Sequence, residues 1–186
     1  MDYLSHTAMS RRKLLRNAAI AGTLPAFSES RQKPEAPQKL KICVFSKHFE
    51  WTSVKEAAAI AKDLGFDGVD LTVRNGGHVA PERVESELPA AVEAVHNSGL
   101  EVPMITTGIT DAATPYAPAV LETAHRLGIR HYRWGGLTYR PDKGIAEQLT
   151  ALKPRMKALA EWNQKHQICG MYHTHCGPEL VGAPLW

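Results

Sequence analysis

Cysteine is scarce in this chain, and so are the glycine-rich signatures of nucleotide binding. Three cysteines, Cys43, Cys169 and Cys176, occur in 186 residues. No two of them stand at zinc-ligand spacing, which removes a zinc module or a disulfide scaffold from consideration. Cys43 and Cys169 lie within apolar stretches and read as small buried hydrophobes, and no structural disulfide is expected. Neither a Gly-x-Gly-x-x-Gly turn nor a Walker-type loop occurs, so nucleotide-binding open sheets lose their usual sign. Long apolar runs are missing as well. The stretch over 17–27 is short, is preceded by Arg16 and is broken by Gly22 and Pro25, so stable membrane insertion is not expected. Charge of one sign is equally thin. The net charge is +3, and Arg11, Arg12, Lys13 and Arg16 at the amino terminus supply the excess. The body is nearly neutral, which gives nucleic-acid binding no support.

What the chain does have is a repeated rhythm. Five times a short apolar run is joined to a helix-like stretch, and 44% hydrophobic residues can supply the core of one domain. Strands are expected over 40–45, 68–73, 102–106, 129–134 and 168–172, the first as a run buried on both faces. Ser53 is the expected N-cap of a helix through Leu64, with Val54, Ala57, Ala58, Ala61 and Leu64 as its apolar stripe. Further helices are expected from Pro81 or Glu82 to Asn97, from Pro115 to Leu127, and from Gly144 to His166. The last should be interrupted at Pro154. Gly65, Gly99 and Gly128 follow three helix ends at the same spacing. Alternating units of this kind build a parallel sheet.

Without the nucleotide signature, the barrel is favoured over the open sheet. A complete eightfold barrel takes about 250 residues. The expectation is therefore an α/β fold forming a partial (β/α)8 TIM barrel, with about five of eight units present. Residues 182–186 read like the approach to a further unit. The sequence is accordingly expected to be a C-terminally incomplete piece, poorly soluble and with little activity by itself. At the other end, Ser10-Arg11-Arg12-Lys13-Leu14-Leu15 and the weakly apolar run after it resemble a twin-arginine export signal. The expected organisation is a signal peptide over 1–28, a linker over 29–38 and the barrel over 39–186. The implied partner is the Tat export machinery, and the implied location is periplasmic or extracellular.

Polar or glycine-rich sequence follows each strand, where parallel α/β folds gather their chemistry. Several of these stretches resemble the sugar phosphate isomerase/epimerase family, the xylose isomerase-like TIM barrels. They are Phe45-Ser46-Lys47-His48, Leu64-Gly65-Phe66-Asp67-Gly68-Val69-Asp70-Leu71, Gly76-Gly77-His78-Val79, Tyr132-Arg133-Trp134-Gly135 and the His-x-His at 173–175. The resemblance spans about residues 39–186. It implies a carbohydrate substrate, enolisation beside a carbonyl and a divalent metal ion, whether Mn, Mg, Zn or Co. The product would be an isomer or epimer, or an elimination product of a keto-sugar; a full-length protein could also form a homo-oligomer. The family's metal ligands are Glu, Asp, His and Glu from strands five to eight. Here the strand-five Glu falls at His173, and the other ligands, with the catalytic carboxylates, would lie beyond Trp186.

Residue by residue, alternatives stay open. His173 and His175, two apart, share a side of a straight strand. They could ligate metal, hydrogen-bond a sugar, or cap a loop carbonyl. His78 in its Gly-Gly-His turn could contact substrate or metal, or be an exposed turn residue. His48 and Trp51 could line a sugar pocket or sit at the rim. Arg133 and Trp134 could hold an anionic or hydroxylated substrate, or Arg133 could pair with a neighbouring acid. Asp70 could face inward or serve as a structural hydrogen-bond partner. His96, His125, His131 and His166 are taken as surface residues. Two other functions are kept beside the enzyme: a non-catalytic sugar-binding protein on the same barrel and, more weakly, a phosphodiester endonuclease.

Overall fold

Ser53 closes a capping box with Glu56 in the computed structural model, which describes residues 40–182. The expected signal peptide and linker lie outside the described residues, as do residues 183–186. The Glu56 amide donates to Ser53 Oγ, and the Ser53 amide donates to the Glu56 carboxylate. These bonds satisfy two amides that a helix start otherwise leaves unpaired. They open α1 (Val54–Asp63), whose Ala57, Ala58 and Ala61 are buried. The helix ends where Gly65 takes φ +84°, and Gly99 (+71°) and Gly128 (+83°) repeat that turn. Only a residue without Cβ adopts this conformation freely.

The remaining helices are α2 (Val84–Asn97), α3 (Ala117–Arg126) and α4 (Ile145–Lys165). Five strands, β1 (Cys43–Phe45), β2 (Gly68–Val73), β3 (Ile105–Thr107), β4 (His131–Arg133) and β5 (Cys169–Met171), lie side by side in chain order. All neighbours are parallel. A doubly wound sheet reverses its order at a switch point and carries helices on both faces. Here the order never reverses. Leu71, Ile105 and Tyr132 stand in register and are fully buried on the helix side. The opposite, concave side is the inner wall of a barrel arc.

Several expectations need correction. The first strand is shorter than 40–45, and Leu40 and Ile42 are 86% and 64% exposed. Among the described residues β1 pairs with β2 alone, so one of its edges is unpaired there. Cys43 and Cys169 are exposed for the same reason, since each lies on an end strand of the sheet. β3 begins at Ile105, beyond Pro103, which has no amide to give the ladder. Leu64 caps α1 at 65% exposure and does not extend its buried stripe. His131 is exposed as expected, yet opens β4.

α4 runs unbroken through Pro154. The carbonyl that this proline leaves unpaired belongs to exposed Thr150, where water can satisfy it. α4 is also the most loosely held helix, burying only Leu159 and Asn163. α2, by contrast, buries five side chains, each fully buried aliphatic one contributing about 1.5–3 kcal/mol. No helix among the described residues is long and apolar enough to cross a membrane.

Candidate functional site

Strand alternation sorts the side chains into two faces. In β2, Val69, Leu71 and Val73 turn to the helices, while Asp70 and Thr72 turn to the concave face. Across the sheet, Thr72 stands level with Thr106, Thr106 with Arg133, and Arg133 with Met171; Phe45 stands level with Asp70. The concave wall therefore carries Phe45, Asp70, Thr72, Thr106, Arg133 and, just past β5, His173.

Asp70 is the most perturbed group on this wall. Burial pushes its pKa from 3.8 to about 6. The Thr106 hydroxyl, 3.0 and 2.8 Å from the two carboxylate oxygens, and the positive charges of Arg133 and Arg74 oppose that rise. Arg133 lies half-buried with its guanidinium 4.8 Å from the centre of the Phe45 ring, a favourable cation–π placement. Its Nη1 donates to His173 Nδ1 at 3.1 Å. Desolvation lowers the Arg133 pKa, Asp70 partly restores it, and Arg74 lowers it further. Desolvation, His175 and Arg133 together hold the His173 imidazole below its ordinary pKa, so that it is neutral at pH 7.

The rim beside β1 is built as a fastening. The Thr72 amide donates to Ser46 Oγ at 2.9 Å, and Ser46 Oγ donates to Thr72 Oγ1 at 3.2 Å. Thr72 Oγ1 also accepts from the His78 amide and meets His78 Nδ1 at 3.2 Å. His78 Nε2 lies 3.1 Å from the Phe49 carbonyl. That carbonyl can only accept, so Nε2 carries the proton and Nδ1 receives the Thr72 hydroxyl. Both ring nitrogens of His78 are thus used inside the protein, tying β2 to the turn after β1. His78 is therefore a half-buried, bonded residue of the rim and not an exposed turn residue. His48 is exposed, its ring edge-on to Phe45 at 6.0 Å. Trp51 is 74% exposed and donates to the His48 carbonyl. These two sit at the rim near Phe45. Arg74 reaches across to Glu50 at 3.1 Å.

Trp134 departs from Arg133, as alternation requires. It packs on the helix side, tilted against Tyr172 and lining an apolar groove with Leu152 and Met156 of α4. Its Nε1 is buried without a hydrogen-bond partner among the described residues. The concave face does not include it, so Trp134 and Arg133 do not share one face of the sheet. His175 Nδ1 lies 3.1 Å from the His173 carbonyl, the loop-capping alternative, with the two rings 4.4 Å apart.

Among the described residues, no three His, Cys, Asp or Glu side chains gather as metal ligands. His173 offers its Nδ1 lone pair to Arg133, whose positive charge opposes a dication alongside. The donor set described does not by itself make up a divalent metal centre, and His173 is not one of a three-donor group among the described residues. Asp70 and Phe45 were undervalued by the sequence. A charged residue inside Gly-Val-Asp-Leu-Thr-Val was the available signal for the first. Phe45 looked like ordinary core.

No family model matches the sequence, and no curated protein matches it. Among solved structures, the chain is similar to the IOLI protein with a bound zinc atom (13% identity, TM-score 0.56, 76% of this chain and 54% of that one). It is also similar to the 3-keto-D-glucoside 4-epimerase YcjR of E. coli (15%, 0.54, 77% and 59%). A third is the probable 3-DHS dehydratase AsbF of Bacillus anthracis (16%, 0.51, 73% and 53%). The chain spans little more than half the length of these structures. At such identities the likeness carries the fold, and the fold is five βα units of a TIM barrel.

Proposed function

We propose that this chain forms one side of the pocket of a sugar-modifying enzyme, an isomerase, epimerase or keto-sugar lyase that moves a proton beside a carbonyl. One observation carries the reading. The interior of a barrel is ordinarily filled by branched apolar side chains, yet the concave wall here bears Asp70 near the middle of its strand and Thr72, Thr106 and Arg133 from the middle to the carboxyl end of theirs. Desolvated polar groups gathered at that end of the sheet are costly unless they do work there.

The parts suit such chemistry. The Arg133 fork can hold a carbonyl oxygen and stabilise negative charge that develops on it. Phe45 offers an apolar face to the C–H side of a sugar ring. Asp70, one layer deeper and oriented by Thr106, has a pKa of about 6, suited to exchanging a proton near neutrality. A divalent metal ion, if bound, would supply Lewis-acid chemistry at a substrate oxygen, although the described residues do not by themselves make up a ligand set for it. The leader, outside the described residues, supports export through the twin-arginine route.

The test is deuterium incorporation beside the carbonyl of a panel of ketoses and keto-sugars in D2O, read by NMR, with and without added Mn, Mg, Zn or Co. Exchange is expected with at least one substrate, and its absence throughout would refute the enzyme reading. A non-catalytic sugar-binding protein is the second reading. It is favoured by Arg133 taking up His173, where the family resemblance puts a carboxylate. Binding without exchange would select it.

A further inference from the structure

A cavity of about 350 Å³ opens between the loops that follow β2 and β3. Every residue lining it falls within 73–120, inside the second and third units of the sheet. Val73 turns to the helices, and buried Ile109 and Val120 join it as apolar lining. The cavity is therefore a different site from the concave wall. Its volume lies in the range of small-molecule pockets, about 300–1,000 Å³.

Tyr116 lines this cavity in a backbone conformation that its own chemistry disfavours. Its φ is +63°, an outlier for a bulky residue because Cβ crowds the following carbonyl. Gln167 also has positive φ, at +52°, but its place explains it. It stands after α4 where Gly65, Gly99 and Gly128 stand after α1, α2 and α3, and helix ends call for that conformation. Helix starts do not. The residue before a first turn is ordinarily extended and carries a short capping side chain. Tyr116 stands at that point before α3, and its side chain caps nothing. Core packing does not account for it either, since the residue is 53% exposed. A strained side chain that neither caps nor fills the core points to a ligand contact.

The lining sets the chemistry of that ligand. Arg74 is its one charged residue, and Glu50 already neutralises it at 3.1 Å. Thr114 is occupied too, its Oγ1 accepting from the Thr110 and Asp111 amides. Among the described residues, that leaves the Asn75 amide and the Tyr116 hydroxyl to bond a ligand. Pro81, Pro115 and the Tyr116 ring supply flat apolar surface. The matching molecule is neutral, planar and mostly apolar, with one hydrogen-bonding group.

We infer that this cavity binds a neutral single-ring aromatic molecule carrying a hydroxyl, with Tyr116 as the wall against which it stacks. The site goes beyond the sugar chemistry proposed above and does not depend on it.

The experiment is titration of the ¹⁵N-labelled full chain with phenol, benzoate, cyclohexanol and D-glucose, followed by amide chemical shifts. Phenol is expected to shift the amides of Val73, Ile109, Tyr116 and Val120 saturably, and D-glucose should leave them unmoved. Benzoate should bind about tenfold more weakly for its charge, and cyclohexanol about tenfold more weakly for want of a π face. Tyr116→Gly relieves the strain and removes the wall, so it should raise the urea midpoint while weakening phenol binding about tenfold. A purely structural Tyr116 would give the first effect without the second. If the glycine variant fails to fold, Tyr116→Asn tolerates the same φ, can cap α3, and should show the same pair of effects. Phenol that shifts none of these amides, or that binds the variant as tightly as the parent, overturns the site. Benzoate binding as tightly as phenol overturns the neutral class, and cyclohexanol doing so overturns the aromatic one. D-glucose shifting these amides in place of phenol overturns the inference as well.

Discussion

Asp70→Asn should make the protein more stable at neutral pH, and the gain can be worked from the site. The Asp70 carboxyl is raised from 3.8 to about 6 by burial. A raised carboxyl favours the folded state while it is protonated, below the unfolded value. That contribution is lost as pH climbs from about 4 through about 6. A shift of roughly two units at 1.36 kcal/mol each is about 3 kcal/mol of stability forgone at pH 7. Asparagine has nearly the shape of the protonated acid and still accepts the Thr106 hydroxyl. The variant should match the parent near pH 3.5, diverge upward between about 4 and 6, and run parallel above 7, about 2–3 kcal/mol more stable. Urea denaturation of both proteins at half-unit pH steps measures the difference directly, with titrations common to both cancelling. A variant less stable than the parent at pH 7 would show that Arg133 and Thr106 outweigh burial. Asp70 would then be a structural ion-pair partner, not a strained polar group kept for function. The same substitution should lower any proton exchange that the full protein catalyses.

Other perturbations separate packing from chemistry. A Cβ at Gly170 would collide with Trp134 Nε1 and sit within 2.9 Å of Tyr132 Oη and Asn163 Nδ2; Gly170→Ala should cost about 1–3 kcal/mol by overpacking and redshift Trp fluorescence as Trp134 is displaced. Leu159 is the one fully buried apolar anchor of α4; Leu159→Ala should cost about 2–5 kcal/mol, with amide exchange rising in α4 before α2. Ser53→Ala removes the capping box and should cost about 1 kcal/mol, seen as a lower urea midpoint with an unchanged slope.

Local chemistry was readable from the sequence wherever one residue settles the matter. Ser53 and Glu56 marked a helix start, and Gly65, Gly99 and Gly128 marked ends that need positive φ. β2 kept its expected bounds because both of its edges are paired, with β1 and with β3. The strand-end locations of Arg133 and His173 followed from the same rhythm. Reading failed where the outcome depends on what lies beside a residue. β1 is an apolar run, yet its position at the sheet edge exposes Leu40, Ile42 and Cys43. Pro154 carries the usual sign of a helix break, but the freed carbonyl belongs to exposed Thr150 and the helix continues.

The site divides the same way. The sequence by itself determined an alternating parallel α/β chain, its helix boundaries and the polar character of its strand ends, because these depend on periodicity and on backbone rules acting over a few residues. Only the tertiary structure decided which face of the sheet Arg133 takes, that His78 spends both nitrogens on a turn, and that Asp70 lies half-buried against Thr106. The last two depend on chain segments 29 and 36 residues apart in sequence being brought together. A side chain's pKa, partners and accessibility belong to those contacts, not to its neighbours along the chain.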